Sequence, residues 1–194
     1  MFSGCKALYN FDELKYLNTS LCTNFSSMFS FLTIENIKPL EEWDVSNGTN
    51  FSFMFFGCKS LKDIKALKNW NMSKCIHLNN MFAGCISLSD IKVLEEWDVS
   101  NCVSFMNMFN ECTSLENIKA LKNWNVSNCR NFAFMFCLCL SLKDITPLEK
   151  WKFNVSNFID FSCMFLGCSS LSNIKALEKW DVSKCNNLCK CIKL

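Results

Sequence analysis

Trp43, Trp70, Trp97, Trp124 and Trp151 fall at intervals of 27 residues, and Trp180 follows after 29 because Lys152 and Phe153 are inserted between the tryptophan and its NVS. A fixed period of 20 to 50 residues is the signature of a solenoid, in which each unit buries its apolar face only by stacking on its neighbours. A second marker runs in phase with the first. Met-Phe pairs begin at Met1, Met28, Met54, Met81, Met108, Met135 and Met164, which makes six complete units and a seventh cut short. The second unit has lost one residue, and with it its GC, between Phe29 and Ile34, and Leu17 stands where every later unit has tryptophan. Weak outer units are common at solenoid ends.

Each unit carries two patterns. Phe51, Met54, Phe55 and Cys58 recur at i, i+3, i+4 and i+7, the spacing of one helical face, and predict a short helix of about two turns. Asn50 or Thr49 would cap it, and Gly57 would stop it in the left-handed region, as would Gly4, Gly84 and Gly167. Leu61, Ile64 and Leu67 follow, and predict a short strand around 62–65 with Ile64 inward and Asp63 and Lys65 outward. Pro39 and Pro147 stand in the column of Ala66, so the strand should end there. Trp70, Asn71 and Met72 alternate apolar, polar, apolar, as a second strand or an extended corner would. Stacking places equivalent positions about 4.8 Å apart. Opposite charges in the column of Glu41, Lys68, Glu95, Lys122, Glu149 and Glu178 would then meet and hold the register.

The order NFxxMFxGCxSLxxIxxLxxW[DN]VSN, carried by residues such as Asn50 to Asn69, Trp70 and Ser73, resembles the BspA-like leucine-rich-repeat family of surface proteins. The resemblance covers nearly the whole chain. It implies an α/β fold: a leucine-rich-repeat solenoid of about seven 27-residue units, with short strands on the concave side and short helices on the other. It also implies a cell-surface or secreted setting and adhesion to host or matrix proteins. The chain itself shows no export signal or anchor, so its location is left open. Residues 1–194 read as a single domain that starts and stops inside a repeat, as a section of a longer array would.

Composition excludes several function classes. The formal charge of +2, with signs mixed along the chain, offers no basic stripe for nucleic acid. The longest strongly apolar run, 132–140, is far short of the roughly 20 residues of a membrane-spanning helix. Neither a serine, histidine and acid trio, nor a phosphate-binding glycine loop, nor a paired-carboxylate site stands out. No catalytic residue, metal ligand or cofactor is therefore assigned, and the chain reads as a non-enzyme. His77, the sole histidine, takes the place of Asn50 and reads as a capping or surface residue.

Most of the fifteen cysteines recur with the repeat. Cys5, Cys58, Cys85, Cys112, Cys139 and Cys168 form one column, and Cys22, Cys75, Cys102, Cys129 and Cys185 another. Such regularity points to small apolar side chains filling a repeated interior slot. Cys137, Cys163, Cys189 and Cys191 lie off the columns, and the terminal CNNLCKC keeps a thiol-dependent metal-binding or redox protein as an alternative. Sequons at Asn18, Asn24, Asn47, Asn50, Asn71, Asn125 and Asn154 follow mechanically from the repeat.

The outward columns of the proposed strands hold Asp63, Asp90, Asn117 and Asp144 beside Lys65, Lys92 and Lys119. Acid next to base is either a solvated, self-neutralising face or the place where a solenoid presents its extended surface to a protein partner. These seven residues are the candidate binding face, and the leading functional reading is a protein-binding repeat scaffold resembling a surface adhesin. An intracellular scaffold of the same fold, with its thiols reduced, is the alternative. Phe53, Phe56 and Phe134 lie off the buried stripe, as a sticky patch or an edge of the core.

Overall fold

The computed structural model describes residues 2, 4, 11–154, 156 and 158–183. The chain winds as a solenoid whose successive units are joined by parallel backbone bridges, Asn24↔Asn50, Asn50↔His77, His77↔Ser104, Ser104↔Asn131 and Asn131↔Asp160. The tryptophans stand in file. Each indole Nε1–H donates to a leucine carbonyl one unit back: Trp70 to Leu40 at 3.0 Å, Trp97 to Leu67 at 3.2 Å, Trp124 to Leu94 at 2.8 Å and Trp151 to Leu121 at 2.9 Å. Because the indole is buried, its N–H needs this partner. The bond therefore ties a side chain of one unit to the backbone of another and fixes register.

The segment predicted to be a helix is a chain of turns. Met54 N–H donates to Phe51 O, Phe56 N–H to Phe53 O and Cys58 N–H to Phe55 O, at 3.1–3.2 Å. Phe53 (φ 60°) and Gly57 (φ 69°) occupy the third positions of the turns 51–54 and 55–58, where a type II turn requires positive φ. A helix cannot pass through them. The alternate amides leave the unit instead: Phe51, Phe53, Phe55 and Gly57 donate to His77, Asn79, Met81 and Ala83 of the next, at 2.7–3.0 Å. The i, i+3, i+4, i+7 pattern nevertheless selects the right interior, since Phe51, Met54, Phe55 and Cys58 are all fully buried. Two successive four-residue turns bury the same spacing as two helical turns.

The α/β expectation is corrected in a second respect. Among the described residues there is neither an α-helix nor a strand longer than a bridge; the regular elements are seven 3₁₀ helices. These are η1 (Phe11–Tyr16), η2 (Lys38–Leu40), η3 (Lys65–Leu67), η4 (Lys92–Glu96), η5 (Lys119–Leu121), η6 (Thr146–Lys150) and η7 (Lys175–Lys179). The strand placed at 62–65 shrinks to isolated pairings, Asp63↔Asp90 and Asn117↔Asp144, because a 3₁₀ turn begins at Lys65 and Lys119. Pro39 and Pro147 lie in the first turns of η2 and η6, where a missing N–H costs nothing. Trp70 and Met72 are buried and Asn71 exposed, as an extended corner.

Phenylalanine fills the core in register. Phe2, Phe29, Phe55, Phe82, Phe109, Phe136 and Phe165 stack at centroid distances of 5.7–6.0 Å. A second file runs through Phe25 and Phe51 and, beyond Leu78, through Phe105, Phe132 and Phe161. Offset stacking of this kind adds roughly 0.5–1.5 kcal/mol per pair to the burial itself. The anticipated charge column does not hold the register. Among the described residues neither Glu41 and Lys68, nor Lys68 and Glu95, nor Glu95 and Lys122 form an ion pair, and the ion pairs between units join Lys62 to Glu35, Lys65 to Asp90, Lys143 to Glu116 and Lys179 to Glu149.

Candidate protein-binding site

The 3₁₀ turns form one side of the solenoid, and two grooves open there. The larger, about 620 Å³, is lined by Asp90, Lys92, Asn117, Lys119 and Asp144, together with Glu95, Lys122 and Pro147. The smaller, about 310 Å³, is lined by Asp63 and Lys65 with Glu35, Lys38 and Glu41. All seven candidate residues thus lie on groove walls. The sequence reading missed Glu95, Lys122 and the small residues Ala120 and Pro147, because a strand would have ended before them. A 3₁₀ turn brings them round to the same side.

The acidic and amide members of the set have a backbone role that exposure alone does not reveal. Asp63 Oδ1 accepts from Lys65 N–H at 3.1 Å and Asp90 Oδ1 from Lys92 N–H at 3.0 Å. Asn117 does the same for Lys119 at 3.5 Å and Asp144 for Thr146 at 2.8 Å. Such Asx turns satisfy the free amide at each 3₁₀ start. Lys65 lies 3.4 Å from Asp63 and 3.9 Å from Asp90, so its charge is shared between two units. Lys92, Lys119 and Lys122 form no ion pair among the described residues, which leaves their ammonium groups to solvent. At the unit of Asn117, Lys119 and Lys122 the wall is basic; on one side Asp90 and Glu95 outnumber Lys92, and on the other Asp144 is the charged residue.

The thiols lie elsewhere. Eleven cysteines are described, all free, and all but Cys22 and Cys163 are buried. In the first column each described thiol donates to the phenylalanine carbonyl one unit back: Cys58 to Phe29, Cys85 to Phe55, Cys112 to Phe82, Cys139 to Phe109 and Cys168 to Phe136, at 3.1–3.2 Å. Burial pushes Cys58 and Cys168 up to about 12 and Cys85, Cys112 and Cys139 well above the ordinary thiol range. These are interior groups held as neutral donors, not nucleophiles. No cluster of three or more His, Cys, Asp or Glu able to hold a metal occurs among the described residues. Cys5, Cys185, Cys189 and Cys191 lie outside the described residues.

His77 occupies the bridge column between Asn50 and Ser104, half-buried, and its Nδ1 has no hydrogen-bond partner. The turn that Asn50 and Asn131 make with the amide two residues on is absent there. Phe53 and Phe134 are exposed, and Phe56 packs edge-on against Phe53 and against Phe31, itself 56% exposed. Phe31 joins this patch only because the second unit lacks its glycine. Among the described residues no helix is long and apolar enough to cross a membrane.

Comparison with known proteins gives two kinds of match. Among solved structures, an internalin (inlF) of Listeria monocytogenes is 15% identical over 76% of this chain with a TM-score of 0.28, and this chain spans about half, 55%, of its length. An internalin C2 of the same species is 11% identical, covers 80% of each chain and has a TM-score of 0.19. Likeness this low carries no argument about the fold or the site. No curated protein matches. The model of one repeat family matches twice, over residues 1–93 and 87–193, and so accounts for nearly the whole chain. The chain belongs to the family described as Mycoplasma protein of unknown function, DUF285.

Proposed function

We propose that the chain is a non-enzymatic, protein-binding repeat scaffold of the surface or secreted adhesin kind that the BspA-like resemblance implies, and that its partner docks over the two grooves. One observation supports this most: Asp63, Lys65, Asp90, Lys92, Asn117, Lys119 and Asp144 all line open concavities on the same side. Solenoids use such extended surfaces for recognition, and mixed charge favours orientation and association rate over raw affinity. The test is the triple variant K65E/K92E/K119E, compared with the native chain as bait. It should lose the proteins that the native chain retains while melting at the same temperature. Retention of the same proteins would remove this side from consideration.

An intracellular scaffold of the same fold is the second reading. It is favoured by the free, hydrogen-bonded state of the column thiols, since structural disulfides mark oxidising compartments. Titrating thiols in the denatured protein, with metal analysis on the same sample, separates the readings. A count near the fifteen cysteines of the chain with no zinc supports reduced interior columns. A low count points to export or metal.

A further inference from the structure

Seven sequons look alike in sequence, but the structure sorts them. In the corner column, Asn18, Asn71, Asn125 and Asn154 are all exposed. Each uses its Oδ1 to accept from the backbone N–H of the serine two residues on, at 3.1–3.2 Å. At Asn18 and Asn125 the serine hydroxyl also donates to that Oδ1, at 2.7 and 2.8 Å, so amide and hydroxyl are held together at the surface. The same turn is made elsewhere in the column by carboxylates, at Asp44, Asp98 and Asp181. The turn therefore needs an acceptor oxygen and makes no use of the amide nitrogen, whose Nδ2 has no partner among the described residues at these four positions.

Asn47 and Asn50 are different. Asn47 Nδ2 donates to Ser20 O at 2.8 Å, and its Oδ1 accepts from Lys74 Nζ at 2.6 Å. The hydroxyl of its sequon, on Thr49, is turned to Thr23 O at 3.1 Å. Asn50 is half-buried in the bridge column, and the serine of its sequon, Ser52, is buried. Asn24 lies in that bridge column but is exposed, and its Oδ1 accepts from Ser26 N–H at 2.9 Å as in the corner group, so it belongs to neither set.

We propose that Asn18, Asn71, Asn125 and Asn154 are acceptor sites for N-linked glycan transfer in the folded chain, and that Asn47 and Asn50 are not. The donor class is an oligosaccharide on a polyprenyl diphosphate. A bond forms between Nδ2 and the anomeric carbon, the bond from that carbon to the diphosphate oxygen breaks, one Nδ2 proton passes to a base of the transferase, and polyprenyl diphosphate departs. None of the four asparagines lines either groove, so glycans at this corner leave the candidate binding side open.

The test uses the purified, folded full chain, a single-subunit oligosaccharyltransferase and a polyprenyl-diphosphate oligosaccharide, with a short Asn-Val-Ser peptide in the same tube and sites mapped by peptide mass spectrometry. Glycan is expected at the four corner asparagines. Occupancy at Asn47 should be about thirtyfold lower, because two net hydrogen bonds must first be broken. Asn71→Asp and Asn125→Asp should each remove one glycan and keep the circular dichroism spectrum, since aspartate already makes this turn at Asp44 and Asp98. Four bare sites beside a modified peptide, or equal occupancy at Asn47 and Asn50, would overturn the proposal.

Discussion

The two long sides of this solenoid are built on opposite principles. On the turn side, segments 26–31, 52–57, 79–84, 106–111, 133–138 and 162–167 hold one charged residue between them, Glu111. Parallel bridges run unbroken there from Asn24 to Asp160. On the groove side, segments 35–41, 62–68, 89–95, 116–122, 143–149 and 172–178 carry two to four charges each. Only Asp63↔Asp90 and Asn117↔Asp144 are bridged there among the described residues. The continuous backbone ladder thus runs on the side whose exposed residues include Phe31, Phe53, Phe134 and Leu138. The groove side stacks through buried Ile64, Leu67, Ile118 and Leu121 and through the indole bonds to its leucine carbonyls rather than through a continuous backbone ladder, and its outward residues present charge.

If that division is right, the largest difference should appear between Phe82→Ala and Lys92→Ala. Phe82 is fully buried and stacks on Phe55 at 5.7 Å and on Phe109 at 5.8 Å. Its truncation should cost about 3–5 kcal/mol in denaturant unfolding, whereas Lys92→Ala, at an exposed groove wall, should stay within about 0.5 kcal/mol. Similar losses for both would erase the distinction. Alkaline pH supplies the next contrast. A thiol whose folded pKa is raised binds its proton more tightly when folded, so its contribution is fully present below the unfolded value of about 8.5 and declines as pH rises through the folded value. Cys58, Cys129 and Cys168, pushed up to about 12, therefore predict stability that is flat to the mildly alkaline range and then falls steadily. Cys58→Ala should lower stability at pH 7 and flatten the alkaline slope, a change that unfolding midpoints at pH 7, 9 and 10 would register.

What the sequence made legible follows from the period. Tandem copying at 27 residues dictates stacked columns, so the file of tryptophans, the inward Ile64 and the buried cysteine columns could all be read from spacing alone. The identity of the local structure could not. The spacing of Phe51, Met54, Phe55 and Cys58 is shared by two helical turns and by two successive β-turns; the difference lies in Phe53, an L-residue held at positive φ, which no composition rule would place there. Spacing makes Gly57 a helix stop, whereas it is the third residue of a turn. The groove was half legible. The outward Asp and Lys columns were visible, but their capping bonds and the added walls of Glu95 and Lys122 depend on a 3₁₀ turn that the strand reading excluded.

Asp90 belongs to the groove wall and to the backbone at once. Asp90→Ala removes the acceptor for Lys92 N–H and should cost about 1 kcal/mol, as loss of a capping side chain usually does. Asp90→Asn keeps the acceptor and should be nearly neutral for stability while changing the groove's charge. Equal effects would mean that the carboxylate acts through its charge rather than through its oxygen.

The smallest effect is expected on the turn side and has the opposite sign. Glu111 stands in the column of Gly57 and Gly84 at φ 59°, exposed, and without a glycine's freedom to occupy that region. An L-residue in the left-handed region pays roughly 1–2 kcal/mol, and glycine recovers part of this at the expense of a more flexible unfolded chain. Glu111→Gly should therefore stabilise the protein by about 0.5–1 kcal/mol and leave the turn side without a charged residue in these segments. Its amide donates to Cys137 O at 2.8 Å, and this bond is made by the backbone, so the substitution leaves it intact. Destabilisation instead would show that the carboxylate itself contributes to the stack, and the turn side could no longer be described as held together by backbone and apolar contacts.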